Sequence, residues 1–280
     1  MIDPVISVAE LLEAEPAPAL ADVRWYLGEP DRGLAEFESA HIPGAIYIDL
    51  DTHLSATHGP GRHPLPTRQE FASTMGPLGF GDADLIVAYD DRGGEIAARL
   101  WWMLRDIGHG QVRVLDGGIT AWQAAGQDVT SASIARPATT MTVRQSETRR
   151  TDRADLGAQL GTLNLLDARA PERYRGDEEP IDPVAGHIPT ALSASTTDNL
   201  NPDETFLGAQ DLRERYTALG VGGDQDTVVY CGSGVTACHN ALAIVRAGLP
   251  EPTLYPGSWS DWGSSGGEVA TGSEPGSPES

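Results

Sequence analysis

His41-Ile42-Pro43-Gly44-Ala45 returns 146 residues later as His187-Ile188-Pro189-Thr190-Ala191. Three further matches keep the same order around this pair. Asp22-Val23-Arg24 recurs as Asp167-Ala168-Arg169, and Val87-Ala88-Tyr89-Asp90 as Val228-Val229-Tyr230-Cys231. Leu115-Asp116-Gly117-Gly118, followed by Trp122, recurs as Leu254-Tyr255-Pro256-Gly257, followed by Trp262. So steady a spacing marks a duplicated unit of about 120–140 residues. The length of 280 residues agrees, because a domain takes roughly 100–200.

Each half alternates short apolar runs with longer periodic ones. Residues 85–89, 112–115, 163–167 and 228–230 read as buried strands. Residues 7–12, 95–107, 209–219 and 237–247 read as helices. Strands alternating with helices imply an α/β fold, here two tandem domains, each a mainly parallel sheet flanked by helices. Residues 1–129 form the first domain, the polar stretch 130–155 reads as a linker, and 156–263 form the second. Residues 264–280, rich in Gly, Ser, Pro and Glu, read as a disordered tail.

All 19 basic residues are arginine, against 41 acidic ones, for a net charge of −22. The absence of lysine excludes a Schiff-base lysine and a Walker-type phosphate lysine. Such acidity argues against nucleic acid and anionic membrane as partners, since phosphate contacts need spare cations. No apolar run reaches the length of a membrane span, and the N-terminus lacks the features of a secretory signal. The expected location is cytoplasmic. The two cysteines, Cys231 and Cys238, cannot make a four-cysteine zinc site, and so few give no disulfide framework. No metal or organic cofactor is expected.

The chemistry concentrates in Val228-Val229-Tyr230-Cys231-Gly232-Ser233-Gly234-Val235-Thr236-Ala237. A strand runs into a glycine loop that opens a helix, which places Cys231 where open α/β sheets bind ligands. Gly232 and Gly234 let the backbone close around the sulfur, with Val235 and Thr236 completing the loop. Loop amides and a helix N-terminus favour an anion, hence a thiolate. A structural cysteine needs no such cradle. A phosphoryl-transfer loop would need an arginine six residues after the cysteine, where Ala237 stands. The remaining chemistry is attack on a sulfane sulfur, held as a persulfide and passed to an acceptor.

The chain resembles the two-domain rhodanese-family sulfurtransferases over about residues 5–263. The resemblance rests on the two His-Ile-Pro motifs, Trp101-Trp102, Leu115-Asp116-Gly117-Gly118 and Pro256-Gly257-Ser258-Trp259-Ser260-Asp261-Trp262. The loop from Cys231 to Ala237 resembles that of 3-mercaptopyruvate sulfurtransferases. Thiosulfate enzymes usually carry Arg and Lys where this chain has Gly232 and Ser233. The resemblance implies transfer from a small sulfur donor, 3-mercaptopyruvate in preference to thiosulfate, to cyanide or a thiol, a thioredoxin-like dithiol among them. It implies a relay of Ser233 with His63 and Asp51 from the first domain, and Arg173 on the donor carboxylate. Mercaptopyruvate enzymes usually carry a second arginine where Asp182 stands, and Arg175 is the nearby candidate to replace it. Asp90 stands at the position of Cys231, so the first domain is expected to be catalytically silent. Cys238 is expected to be a small core residue, and Trp259 and Trp262 packing residues that could also shield the persulfide. Two other classes compete: a sulfur-relay or redox-sensing module loaded by a partner protein, and a binding protein on the same scaffold. The complete glycine loop argues against the last.

Overall fold

The computed structural model describes residues 3–278, which divide into two compact units. The first sheet contains β1 (Val5–Ile6), β2 (Ala19–Asp22), β3 (Ile46–Tyr47), β4 (Ile86–Tyr89) and β5 (Val112–Leu115) in the order β1-β5-β4-β2-β3. The second contains β6 (Arg149–Arg150), β7 (Asn164–Asp167), β8 (Leu192–Ser193), β9 (Thr227–Tyr230) and β10 (Thr253–Leu254) in the order β6-β10-β9-β7-β8. The orders are identical and all pairings are parallel. The central strands β2, β4, β7 and β9 are buried along their whole length, as expected for a parallel sheet covered on both faces.

The repeated motifs are repeated contacts. The Asp22–Arg24 and Asp167–Arg169 pairs both close at 2.6 Å in the interior. Arg24 then donates to the Ala40 carbonyl at 2.7 Å, and Arg169 to that of Gly186 at 2.6 Å. His41 stacks on Phe37 at 3.9 Å and His187 on Tyr174 at 3.8 Å. Ile42 and Ile188 each donate their N–H to a strand-end tyrosine, Tyr89 and Tyr230, at 3.1 Å. Burial, then the charge of Asp167, pushes the Tyr230 hydroxyl far above its usual pKa, so it stays a neutral partner.

The domain boundaries differ from the sequence reading in three places. Arg149 and Arg150, inside the supposed linker, form the edge strand β6, and Arg153–Gly157 is a helix of the second unit. A two-residue strand between charged neighbours carries no periodic signal. The supposed disordered tail is built in. Ala270 and His187 exchange both backbone hydrogen bonds, at 2.8 and 2.9 Å, as Thr130 and His41 do at 2.9 Å. Glu279 and Ser280, the end of that stretch, lie outside the described residues. Finally, equivalent loops are exchanged: residues 57–64 belong to the second unit and residues 201–206 to the first. No helix among the described residues is long and apolar enough to cross a membrane.

Candidate active site

Cys231 follows β9 directly and precedes the helix Ala237–Arg246. It is 1% exposed. Its Sγ accepts the Gly234 N–H at 3.1 Å. Gly234 has φ +76°, and a Cβ there would lie 2.3 Å from the Pro256 carbonyl oxygen, so only glycine fits. The loop is tied to the segment after β10. Trp259 N–H donates to the Cys231 carbonyl and Ser260 N–H to that of Gly232, both at 2.9 Å. Ser258 Oγ accepts the Cys231 N–H at 3.1 Å and donates to the Tyr255 carbonyl at 2.9 Å. Behind the loop, Asn199 donates to Asn240 at 2.8 Å, and Tyr216 and Arg215 donate to Asn199 at 2.9 and 3.1 Å. This buried network fixes the helix that begins at the cysteine loop.

Ser233 is nearly buried, and its Oγ lies 2.8 Å from His63 Nδ1. His63 reaches it because residues 57–64 belong to the second unit, not the first as the sequence implied. Asp51 belongs to the first unit, where it accepts the Trp25 indole N–H at 2.8 Å.

A chain of alternating charges lies alongside. Asp167 pairs with Arg169, and Arg169 with Glu179 at 3.3 Å. Glu179 pairs with Arg173 at 2.7 Å, Arg173 with Asp182 at 3.0 Å, and Asp182 with Arg62 at 2.9 Å. Burial alone would lower the Arg169 pKa, but Asp167, with Tyr230 and Glu179, outweighs it and holds the guanidinium charged. Arg173 Nη1 and Arg62 Nη2 each lie 3.4 Å from where a Gly232 Cβ would be. Arg175 pairs instead with Asp177 at 2.7 Å. The second arginine beside Gly232, with Arg173, is therefore Arg62. Sequence reasoning missed it, although it directly precedes His63.

Residues 6–125 and 152–265 each match the rhodanese-like domain. The chain belongs to the rhodanese-like family. A Pseudomonas aeruginosa protein named probable 3-mercaptopyruvate sulfurtransferase is 44% identical over 272 residues, covering 92% of this chain and 96% of its own. Human 3-mercaptopyruvate sulfurtransferase is 36% identical over 265 residues, covering 91% of this chain and 89% of its own. Among solved structures, Escherichia coli SseA, described as a 3-mercaptopyruvate sulfotransferase, superposes with a TM-score of 0.80 at 30% identity. That match covers 92% of this chain and 99% of SseA.

The first rhodanese-like unit carries the same loop with a carboxylate in it. Asp90 accepts N–H groups from Arg92, Gly94, Ile96 and Ala97 at 3.0, 2.8, 2.8 and 2.9 Å. This loop is one residue longer than that of Cys231, since its helix begins at Ala97 against Ala237. In the second unit, Cys238 is fully buried and donates its S–H to the Gly234 carbonyl at 3.4 Å, as a core residue would. Trp259 and Trp262 pack in the unit's core, with Trp259 beneath the Arg169 guanidinium at 4.6 Å. Ser258 also escaped the sequence reading. Its φ of +54° repeats the +56° of Gly118, which it matches at the offset of Trp122 and Trp262; the match of Leu115–Gly118 to Leu254–Gly257 is one residue out of that register.

Proposed function

We propose that the protein is a sulfurtransferase that carries sulfur as a persulfide on Cys231, with 3-mercaptopyruvate as the favoured donor. The observation that carries this reading is the glycine loop that delivers the Gly234 amide to the Cys231 sulfur. In the first half-reaction the Cys231 thiolate attacks the donor sulfur. The carbon–sulfur bond breaks, its electron pair passes to the enolate of pyruvate, and the donor's thiol proton ends on that carbon. Ser233, hydrogen-bonded to His63, would move this proton. Arg173 takes the donor carboxylate. In the second half-reaction cyanide or a thiolate attacks the outer sulfur, and the cysteine thiolate leaves. The loop from Gly232 through Gly234, Val235 and Thr236 supplies backbone donors to the persulfide anion rather than a fixed cation.

The resting place of Asp90 supports this chemistry. A carboxylate oxygen is the third atom out from Cα, as is the outer sulfur of a cysteine persulfide. The first unit thus holds an anion, in a nest of amides, at the reach the second unit would need. The test is mass spectrometry after mixing with each donor, alongside steady-state turnover. The wild type gains one sulfur atom on the Cys231 peptide, and Cys231→Ser gains none while melting normally. Retained turnover in Cys231→Ser would assign the wrong nucleophile. Loading only from a persulfidated protein would indicate a relay module instead.

A further inference from the structure

We infer that Arg62, acting with Arg173, forms the two-guanidinium fork for the donor carboxylate, and that Asp182 sets the fork's charge so that a monoanionic donor is preferred to a dianionic one. This inference rests on the sulfurtransferase reading above.

Three observations carry it. First, the two guanidinium groups converge on the open side of Gly232, the residue after Cys231, each with a terminal nitrogen 3.4 Å from the missing Cβ. A side chain there would fill the space, so glycine keeps it open. Second, the fork has donors to spare. Arg62 gives Nη1 to Asp182, while its buried Nε–H has no acceptor among the described residues. Arg173 spends Nε and Nη2 on Glu179 and Asp182, which leaves Nη1 facing Gly232. A buried donor without an acceptor is rare in proteins, and this one belongs to the guanidinium whose Nη2 lies beside Gly232. Third, Asp182 places one oxygen on each arginine, Oδ2 on Arg173 at 3.0 Å and Oδ1 on Arg62 at 2.9 Å. It holds the two forks at a fixed spacing.

The charges decide which donor suits the fork. Arg62 and Arg173 contribute two positive charges, Asp182 and Glu179 two negative ones, and the Asp167–Arg169 pair none. A neutral cluster gives a dianion no net attraction. The attraction of the arginines and the repulsion of Asp182 and Glu179 both scale with the donor's charge, so at net zero the second negative charge of thiosulfate gains no attraction to offset its larger hydration cost. An arginine at 182 would make the cluster positive, and a dianion would then gain about twice the attraction of a monoanion.

The experiment measures kcat and KM for both donors in the wild type, Arg62→Met, Arg62→Lys and Asp182→Asn. Arg62→Met should raise the 3-mercaptopyruvate KM by about tenfold or more, with a much smaller change in kcat. Arg62→Lys should recover part of that loss, since it restores the charge without the fork. Asp182→Asn should lower the thiosulfate KM more than the 3-mercaptopyruvate KM, narrowing the preference severalfold. Unchanged KM values in Arg62→Met, or a loss confined to kcat, would remove Arg62 from the donor site. Equal shifts for both donors in Asp182→Asn would overturn the charge argument. A wild type that loads sulfur from neither donor would instead overturn the sulfurtransferase reading, and the fork with it.

Discussion

The carboxylate of Asp90 stands in the first repeat where the thiol of Cys231 stands in the second, and backbone amides close on both. Four N–H groups reach Asp90, and the Gly234 N–H reaches Cys231 Sγ. The first unit thus carries the same kind of amide nest with a side-chain carboxylate already in it. Asp90→Ala would leave three buried donors and a partly buried one without their acceptor. At about 1–3 kcal/mol for each unsatisfied group, and with some relaxation, the loss should be about 3 kcal/mol or more. Asp90→Asn keeps one carbonyl acceptor and should lose clearly less. Urea denaturation of the two variants checks this, and equal losses would show that the amides do not depend on the carboxylate.

The 2.8 Å contact between Ser233 and His63 makes a prediction that separates the two donors. Pyruvate leaves as an enolate that must gain a proton on carbon, whereas sulfite leaves without one. Ser233→Ala should therefore lower kcat with 3-mercaptopyruvate by about tenfold or more. With thiosulfate the change should be small. Steady-state assays with cyanide as common acceptor make the comparison, and equal losses on both donors would sink the proton relay.

Much of this architecture was legible because the repeat was. The strands 112–115 and 163–167 and the helix 209–219 lie within a residue or so of their observed ends. The nucleophile loop could be read because strand, glycine and helix signals fall together there. The two-residue strands Val5–Ile6, Arg149–Arg150 and Leu192–Ser193 were invisible, since alternation cannot show in two residues. Arg62 was out of reach for another reason. The exchange of residues 57–64 into the second unit is a tertiary fact with no local signature. The C-terminal stretch was a different miss, because composition outweighed a signal that was present. Gly126-Gln127-Asp128-Val129-Thr130 recurs as Gly266-Gly267-Glu268-Val269-Ala270 at the same offset as Trp122 and Trp262. Both indoles donate 2.8 Å hydrogen bonds into these segments, to the Asp128 and Glu268 carbonyls.

That correction predicts the effect of shortening the chain. A protein ending at Ser265 loses the Glu268 acceptor of Trp262 and both backbone hydrogen bonds between Ala270 and His187. It also loses the Glu274 carbonyl, 3.1 Å from His187 Nε2. His187 is fully buried in the intact chain. Several hydrogen bonds worth about 1 kcal/mol each, plus newly exposed apolar surface, should cost about 3 kcal/mol or more. Thermal melting of the shortened chain measures this. A melting point equal to that of the full chain would return residues 266–278 to the status of a dispensable tail.

Two histidines of the first unit contribute to the loss of stability in acid. Burial lowers the pKa of His53, with Asp49 partly offsetting it. Burial also lowers that of His109, where the hydrogen bond to the Gln111 carbonyl partly offsets it and Arg144 adds to it. In the unfolded chain both return to the ordinary histidine value of about 6.5. The unfolded state therefore binds more protons than the folded state as the pH drops through and below that value. Their contribution is fully present above about pH 6.5 and is lost as the pH falls toward the lowered folded values. His53→Gln/His109→Gln removes the two titrating groups, and a glutamine side chain in place of His109 retains a donor for the Gln111 carbonyl. Between about pH 7.5 and about pH 5.5, on either side of the histidine value, the wild-type Tm should fall more steeply than that of the double variant. Parallel Tm curves would mean that these two histidines titrate alike in both states, and that carboxylates alone set the acid limit.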